Sequence, residues 1–236
     1  IAERGIMVTN ARGVYKKPMA EYTISMLLQV YRREKTLIKN ENNRIWEQIS
    51  GIQEISGRTM VIVGAGAIGQ EIARLAKAFD ITTYGVSRSG QKREYFDENV
   101  SIKELDQVLP KADFVVSVLP GTEETNNLFT KKQFEIMKQE AVFVNIGRGN
   151  SVNEQDLLTA IQEKQIAHAI LDVFKEEPLP SDHPFWEEEN ITITPHLSAA
   201  SPRNRERIFN VFTQNLEKFI KGDEALINQV DILRGY

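Results

Sequence analysis

The 236-residue chain contains no cysteine. That excludes disulfides, a thiolate nucleophile and cysteine-ligated zinc, and it fits a reducing, cytoplasmic setting. No apolar run approaches the roughly 18 residues of a membrane-spanning helix, and no signal peptide opens the chain. Neither sign of charge is in excess. Lys+Arg 29 stand against Asp+Glu 33, a formal net charge of -4, so there is no electrostatic footprint for nucleic acid or an anionic membrane. Internal repeats and low-complexity stretches are also missing. What is present is an ordinary globular composition, with 41% hydrophobic residues, enough for a sizeable buried core. The chain opens Ile1-Ala2-Glu3-Arg4-Gly5 without a Met, and structural signals follow almost at once. It therefore reads as beginning inside a larger protein.

Strand candidates at 60–63, 82–86, 114–118, 142–146, 169–173 and 191–194 alternate with amphipathic stretches of helical length. Several runs are apolar on consecutive positions, as suits strands covered on both faces. The alternation predicts βαβ units and an α/β fold with a Rossmann-type, doubly wound parallel sheet. Ser101 to Glu104 and Thr130 to Gln133 have capping-box spacing, and Asn153 with Asp156 is a weaker version. Ser201-Pro202 reads as the start of a long final helix that runs toward Gly222. An earlier helix is expected over 18–38. The polar segment 40–57, around Ile45, Trp46 and Ile49, is expected to be a surface helix and loop.

The strongest local motif is Gly64-Ala65-Gly66-Ala67-Ile68-Gly69. It follows an apolar strand and opens an amphipathic helix that ends near Phe79, the context a dinucleotide fingerprint requires. Gly64 allows the tight turn, Gly66 the approach of a pyrophosphate, and Gly69 close packing of helix on strand. The helix N-terminus offers unpaired N–H groups to phosphate. The next strand ends at Ser87, 18 residues past Gly69, where an NAD site would carry an acid. Here Ser87 can donate to a phosphate and Arg88 can pair with one, with Lys92 and Arg93 adding positive charge. This points to NADP(H). NAD(H) stays open, with Arg88 stacking on adenine.

Three later segments end strands with polar anchors: Asn145-Ile146-Gly147-Arg148-Gly149, Leu171-Asp172-Val173-Phe174-Lys175-Glu176-Glu177-Pro178-Leu179, and Thr194-Pro195-His196-Leu197-Ser198. In open α/β sheets such ends share one crevice. A 2-keto acid reductase needs a cation for the carboxylate and carbonyl, a proton donor, and a carboxylate to orient that donor. Arg148, His196 and Glu177 fill these roles. Taken singly, an Arg or His at a strand end is more often structural than catalytic, and Glu177 could belong to a solvated acidic run with Glu176.

The four motifs together resemble the D-isomer-specific 2-hydroxyacid dehydrogenases, and the likeness runs from Gly5-Ile6-Met7-Val8-Thr9-Asn10 and Met19-Ala20-Glu21-Tyr22 through the helix after Pro202. The resemblance implies a cofactor domain over 1–201, and over 202–236 a helix and tail that return to a substrate domain largely missing from this chain. Phe209, Phe212, Leu216 and Phe219 would then lose apolar cover. It implies Arg148, Glu177 and His196 as the catalytic set and no metal. Ala67, Ile68, Ser87, Arg88, Pro120, Ile146, Gly147 and Asp172 would line the cofactor, with Leu119-Pro120 against the adenosine, Asp172 near the nicotinamide amide, and the stretch from His196 to Ala199 beside the ring. The Ser-Arg-Ser pattern at 87–89 is similar to the glyoxylate and hydroxypyruvate reductase branch. A homodimer through the cofactor domain is implied, with 19–38 and the Trp46 region as interface candidates. A nucleotide-sensing, corepressor-like protein on the same fold is the alternative, and formate or phosphoglycerate dehydrogenases are a third.

Overall fold

Each strand candidate becomes a strand, and the central strands are buried on both sides. The fold, taken from a computed structural model, is described for residues 6–223 and 225–230. The elements in chain order are α1 (Lys16–Tyr31), α2 (Glu34–Asn42), β1 (Thr59–Val63), α3 (Ala67–Lys77), β2 (Thr82–Ser87), β3 (Glu98–Ser101), α4 (Leu105–Val108), β4 (Phe114–Ser117), α5 (Lys131–Glu135), β5 (Val142–Asn145), α6 (Glu154–Gln162), β6 (His168–Leu171), β7 (Ile191–Ile193) and α7 (Asn204–Ile220). The strands form one seven-stranded sheet in the order β3-β2-β1-β4-β5-β6-β7. Every pairing is parallel. The chain winds outward from β1 through β2 and β3, then crosses back to place β4 on the other side of β1. The junction of β1 and β4 is therefore the topological switch point, where a crevice opens above the strands' C-terminal ends.

Side chains alternate across the sheet into two cores. Val61, Val63, Val115, Phe143 and Leu171 point into one, which α4, α5 and α6 complete with Leu105, Phe134 and Leu157. Met60, Ile62, Phe114, Val116, Val144 and Ile170 point into the other, covered by α1 and α3 through Leu27, Ile72 and Ala76. Phe129, Phe134 and Phe143 stack within 6.5 Å of one another and are fully buried. Each contributes roughly 1.5–3 kcal/mol through burial.

The capping signals at Ser101 and Thr130 form reciprocal boxes, and the Asn153 side chain accepts the Asp156 N–H. Four expectations are corrected. The sheet has an additional edge strand, β3, whose Glu98-Asn99-Val100-Ser101 sequence is too polar and half-exposed to register as an apolar run. The helix expected over 18–38 starts at Lys16 and breaks at Arg33, which adopts a left-handed φ of 55° without a Gly or Pro to announce it. No surface helix forms around Trp46: beyond Asn42 the chain runs irregular to Ile55, because of Ile45, Trp46 and Ile49 only Ile49 finds partial cover among the described residues. The final helix begins at Asn204 rather than Pro202; Ser201 caps the preceding turn by accepting the Arg203 N–H, and Gly222, at φ 77°, follows the helix end as expected. Gly5 of the segment that opens the resemblance, and the tail beyond Val230, lie outside the described residues. Among the described residues no helix is long and apolar enough to cross a membrane.

Candidate active site

The glycine loop bends directly from β1 into α3. An added Cβ at Gly69 would stand 2.3 Å from the Gly64 carbonyl oxygen, so only glycine lets this turn of helix lie on the loop. At Gly66 the opposite holds: a Cβ would meet nothing within 4 Å, because that side faces an open cleft. The cleft measures about 610 Å³. Its floor is 64–69, with Val86, Ser87, Arg88 and Ser89 on one side and Val118, Leu119, Pro120, Thr122 and Thr125 on the other. It sits at the β1/β4 switch point, and the N-terminal end of α3 points into its floor. A backbone cradle with an unfilled Cβ position over a helix start suits a pyrophosphate.

Of the residues expected to hold a cofactor, Gly64, Gly66, Ala67, Ile68, Gly69, Ser87, Arg88 and Pro120 line this cleft. Ser87 Oγ accepts the Gly90 N–H at 3.1 Å, which pins the turn after β2. Arg88 pairs with Glu124 at 2.8 Å, so a phosphate that takes Arg88 competes with that carboxylate. Arg12, Tyr15, Thr122, Glu124 and Thr125 also line the cleft and were not expected. Arg12 and Tyr15 precede or begin the first helix and carry no motif. The loop 122–125 did carry a signal, the Thr122-to-Thr125 capping box that closes it.

The remaining candidates gather at the ends of β5, β6 and β7. Ile146 and Gly147 are buried. Arg148 is exposed, and its carbon stem lies against Gly121, next to Pro120 on the cleft rim. One guanidinium nitrogen donates to the Gly147 carbonyl at 2.7 Å, and the fork has no other protein partner among the described residues. Its backbone carbonyl accepts from the Asn145 amide and the Ser151 hydroxyl, which fixes the turn it stands on. Gly149 locks this turn to the next: an added Cβ would fall 2.0 Å from the Phe174 carbonyl carbon. Gly149→Ala is therefore expected to destabilise the fold by about 3 kcal/mol through overpacking against backbone, read as a lowered urea midpoint; an unchanged midpoint would show that the two turns are not in fixed contact.

Glu177 and His196 meet across the ends of β6 and β7. His196 Nδ1 lies 2.7 Å from Glu177 Oε2, while Glu177 Oε1 accepts the Phe174 N–H at 3.0 Å. Partial burial alone would raise the Glu177 carboxyl, but the hydrogen bonds from His196 and Phe174 and the charges of His196 and Arg148 outweigh it. The carboxyl is held below its ordinary value and is ionised at neutral pH. Arg148, Glu177 and His196 follow β5, β6 and β7, three neighbouring strands of the sheet. The other two histidines serve elsewhere. Burial and the charge of Lys35 push His168 down to about 4, so its ring is neutral, and it contacts Thr192 at 2.8 Å. His183 accepts the Phe185 N–H.

Asp172 is wholly buried, and its carboxylate accepts from the Thr194 hydroxyl and from the backbone N–H groups of Leu197 and Ser198. Ala199 is half-buried against the core beneath the cleft. Among the described residues no cluster of His, Asp and Glu could hold a metal ion.

Residues 24–198 match the family of the D-isomer specific 2-hydroxyacid dehydrogenases, over its NAD binding domain. The chain belongs to that family. It is 34% identical to a glyoxylate reductase of Korarchaeum cryptofilum, over 96% of this chain and 70% of that protein. A D-isomer specific 2-hydroxyacid dehydrogenase family protein from Aeromonas salmonicida superposes with a TM-score of 0.87 at 40% identity, over 95% of this chain and 71% of that one. An NADPH-dependent glyoxylate/hydroxypyruvate reductase from Sinorhizobium meliloti, in complex with NADP and sulfate, superposes at 0.86 with 28% identity, over 98% and 74% of the two chains. As a 2-hydroxyacid dehydrogenase the chain is an NAD(P)-dependent oxidoreductase of small 2-hydroxy and 2-keto acids, and the seven-stranded sheet is its cofactor-binding layer.

Proposed function

We propose that this 2-hydroxyacid dehydrogenase reduces a small 2-keto acid such as glyoxylate to the D-2-hydroxy acid, with NADPH preferred over NADH. The observation that carries the reading is the 2.7 Å contact of an exposed His196 with an ionised Glu177, with Arg148 at the end of the neighbouring strand.

When bound, the nicotinamide cofactor supplies the hydride. Gly64, Gly66, Ala67, Ile68 and Gly69 would hold its pyrophosphate with backbone N–H groups at the start of α3. Pro120 would hold the adenosine end, and Ile146, Gly147, Asp172 and Ala199 the nicotinamide end. Arg148 grips the substrate carboxylate and polarises the carbonyl with its planar fork. His196 donates a proton from Nε2 to the carbonyl oxygen as it becomes an alkoxide. Glu177 accepts from Nδ1, which sets the ring's orientation and stabilises its charged form.

Preference for NADPH follows from the end of β2. Ser87 and Arg88 hold a 2′-phosphate where an acid would repel it, and Arg93, also on the cleft wall, adds charge. Ser87→Asp is expected to weaken NADPH binding ten- to a hundredfold, the worth of one or two charge-assisted hydrogen bonds, while NADH binding holds or improves. Calorimetric titration with both nucleotides reads this directly, and equal NADPH affinity in the variant would sink the preference.

Residues 1–201 act as the cofactor domain and 202–236 as the return to the substrate domain. In support, α7 leaves Phe209, Phe212, Leu216 and Phe219 exposed as an uncovered face. A homodimer through the α1–α2 region and the fully exposed Trp46 completes the proposed assembly.

A further inference from the structure

His196 has a φ of 51°, in the left-handed region, which is uncommon for non-glycine residues although histidine visits it more readily than most. The turn that holds it there is built around one buried carboxylate. Asp172 Oδ1 accepts the Thr194 hydroxyl at 2.6 Å and the Leu197 N–H at 2.8 Å, and Oδ2 accepts the Ser198 N–H at 2.8 Å. The His196 N–H itself donates to the backbone oxygens of Asp172 and Thr194, both at 3.0 Å. Asp172 thus straps both sides of His196 to the end of β6, and five residues further on the same segment presents Glu177.

The chain of contacts extends outward. Thr194 has one hydroxyl proton and spends it on Asp172, so the 2.7 Å contact between Thr194 Oγ1 and the Tyr22 hydroxyl runs the other way, with Tyr22 donating. Burial pushes the Tyr22 phenol up to about 12, so it keeps that proton at any working pH. Tyr22 belongs to α1, which packs on α3.

We infer that Thr194 and Tyr22 are positioning residues for the reaction: the relay from Tyr22 to Thr194 to Asp172 holds the 194–198 turn so that His196 meets Glu177. Neither residue touches the reacting atoms. The inference rests on the proposed role of His196, and the test separates the two. The full-length protein is assayed with NADPH and glyoxylate as Thr194→Val, Thr194→Ser, Tyr22→Phe and His196→Ala. Readouts are kcat, KM, NADPH affinity by calorimetry, and the low-field proton resonance of the His196 Nδ1–H bonded to Glu177.

Thr194→Val removes the hydroxyl that both neighbours use. Its kcat is expected to fall roughly tenfold, the worth of about one net hydrogen bond lost at the turn. KM and NADPH affinity stay within about twofold, and the low-field resonance broadens or disappears. Thr194→Ser restores kcat and the resonance, because it keeps the hydroxyl. Tyr22→Phe, which leaves the bond between Thr194 and Asp172 in place, lowers kcat about threefold. A change confined to thermal stability, with kcat and the resonance as in the parent, overturns the inference provided that His196→Ala is inactive. An active His196→Ala instead overturns the reading beneath it. Should Thr194→Val fail to fold, Tyr22→Phe decides alone: a lowered kcat with a broadened resonance supports the relay, and parental values of both refute it.

Discussion

His196→Ala in the full-length protein is expected to lower kcat about a thousandfold while NADPH binding changes little. Positioned general acids commonly contribute two to four powers of ten, and an imidazole already bonded to an ionised carboxylate at 2.7 Å belongs in the upper part of that range. Without it, the alkoxide formed as hydride arrives must take its proton from water. Retained cofactor affinity is part of the expectation, because the glycine loop and the ends of β2 and β4 line the cleft without the His196 ring. Calorimetric titration beside steady-state kinetics separates the two. Parental turnover would remove His196 from the mechanism, and parallel loss of nucleotide binding would make it structural. Glu177→Gln offers a graded comparison: the amide still fills the space, but it cannot stabilise a charged imidazole, so a smaller fall in kcat is expected.

Arg148→Lys is expected to lower kcat/KM at least about a hundredfold, although the charge is kept. A guanidinium presents parallel N–H groups that match a carboxylate, whereas an ammonium is a point charge on a stem that swings. Removal of one preorganised donor at a developing oxyanion commonly costs two to three powers of ten. The setting here sharpens the difference. The Arg148 backbone carbonyl is fixed by Asn145 and Ser151, the stem lies along Gly121, and the guanidinium rests on the Gly147 carbonyl. A lysine has the charge but not the plane to use that support. If kcat/KM were unchanged, Arg148 would act only as a distant charge on Glu177. If KM alone rose, it would bind substrate without polarising the carbonyl.

Much of the fold was legible because its signals are local. Six of the seven strands show as short strand candidates, several of them apolar on consecutive positions as a parallel strand covered on both faces tends to be. The caps at Ser101, Thr130 and Asn153 each need only a side chain and a backbone group three residues apart, so their spacing alone reveals them. β3 escaped because a half-exposed edge strand needs no apolar run, and the break at Arg33 because a left-handed residue other than glycine leaves no mark. The segment around Trp46 misled for a different reason. It was expected to carry a surface helix, but of Ile45, Trp46 and Ile49 only Ile49 finds partial cover among the described residues, too little to hold a helix in place.

The sequence by itself determined that there would be a glycine turn for a dinucleotide, no acid at Ser87, and an Arg, a Glu and a His at successive strand ends. These are matters of residue type and of order along the chain. Only the tertiary structure decided that Glu177 and His196 touch, that Arg88 answers to Glu124, and that Asp172 turns its buried carboxylate to Thr194, Leu197 and Ser198. Each such pair lies nineteen or more residues apart. Their meeting depends on the winding order of the sheet and on the backbone angle at one histidine, and neither is written in any short stretch of sequence.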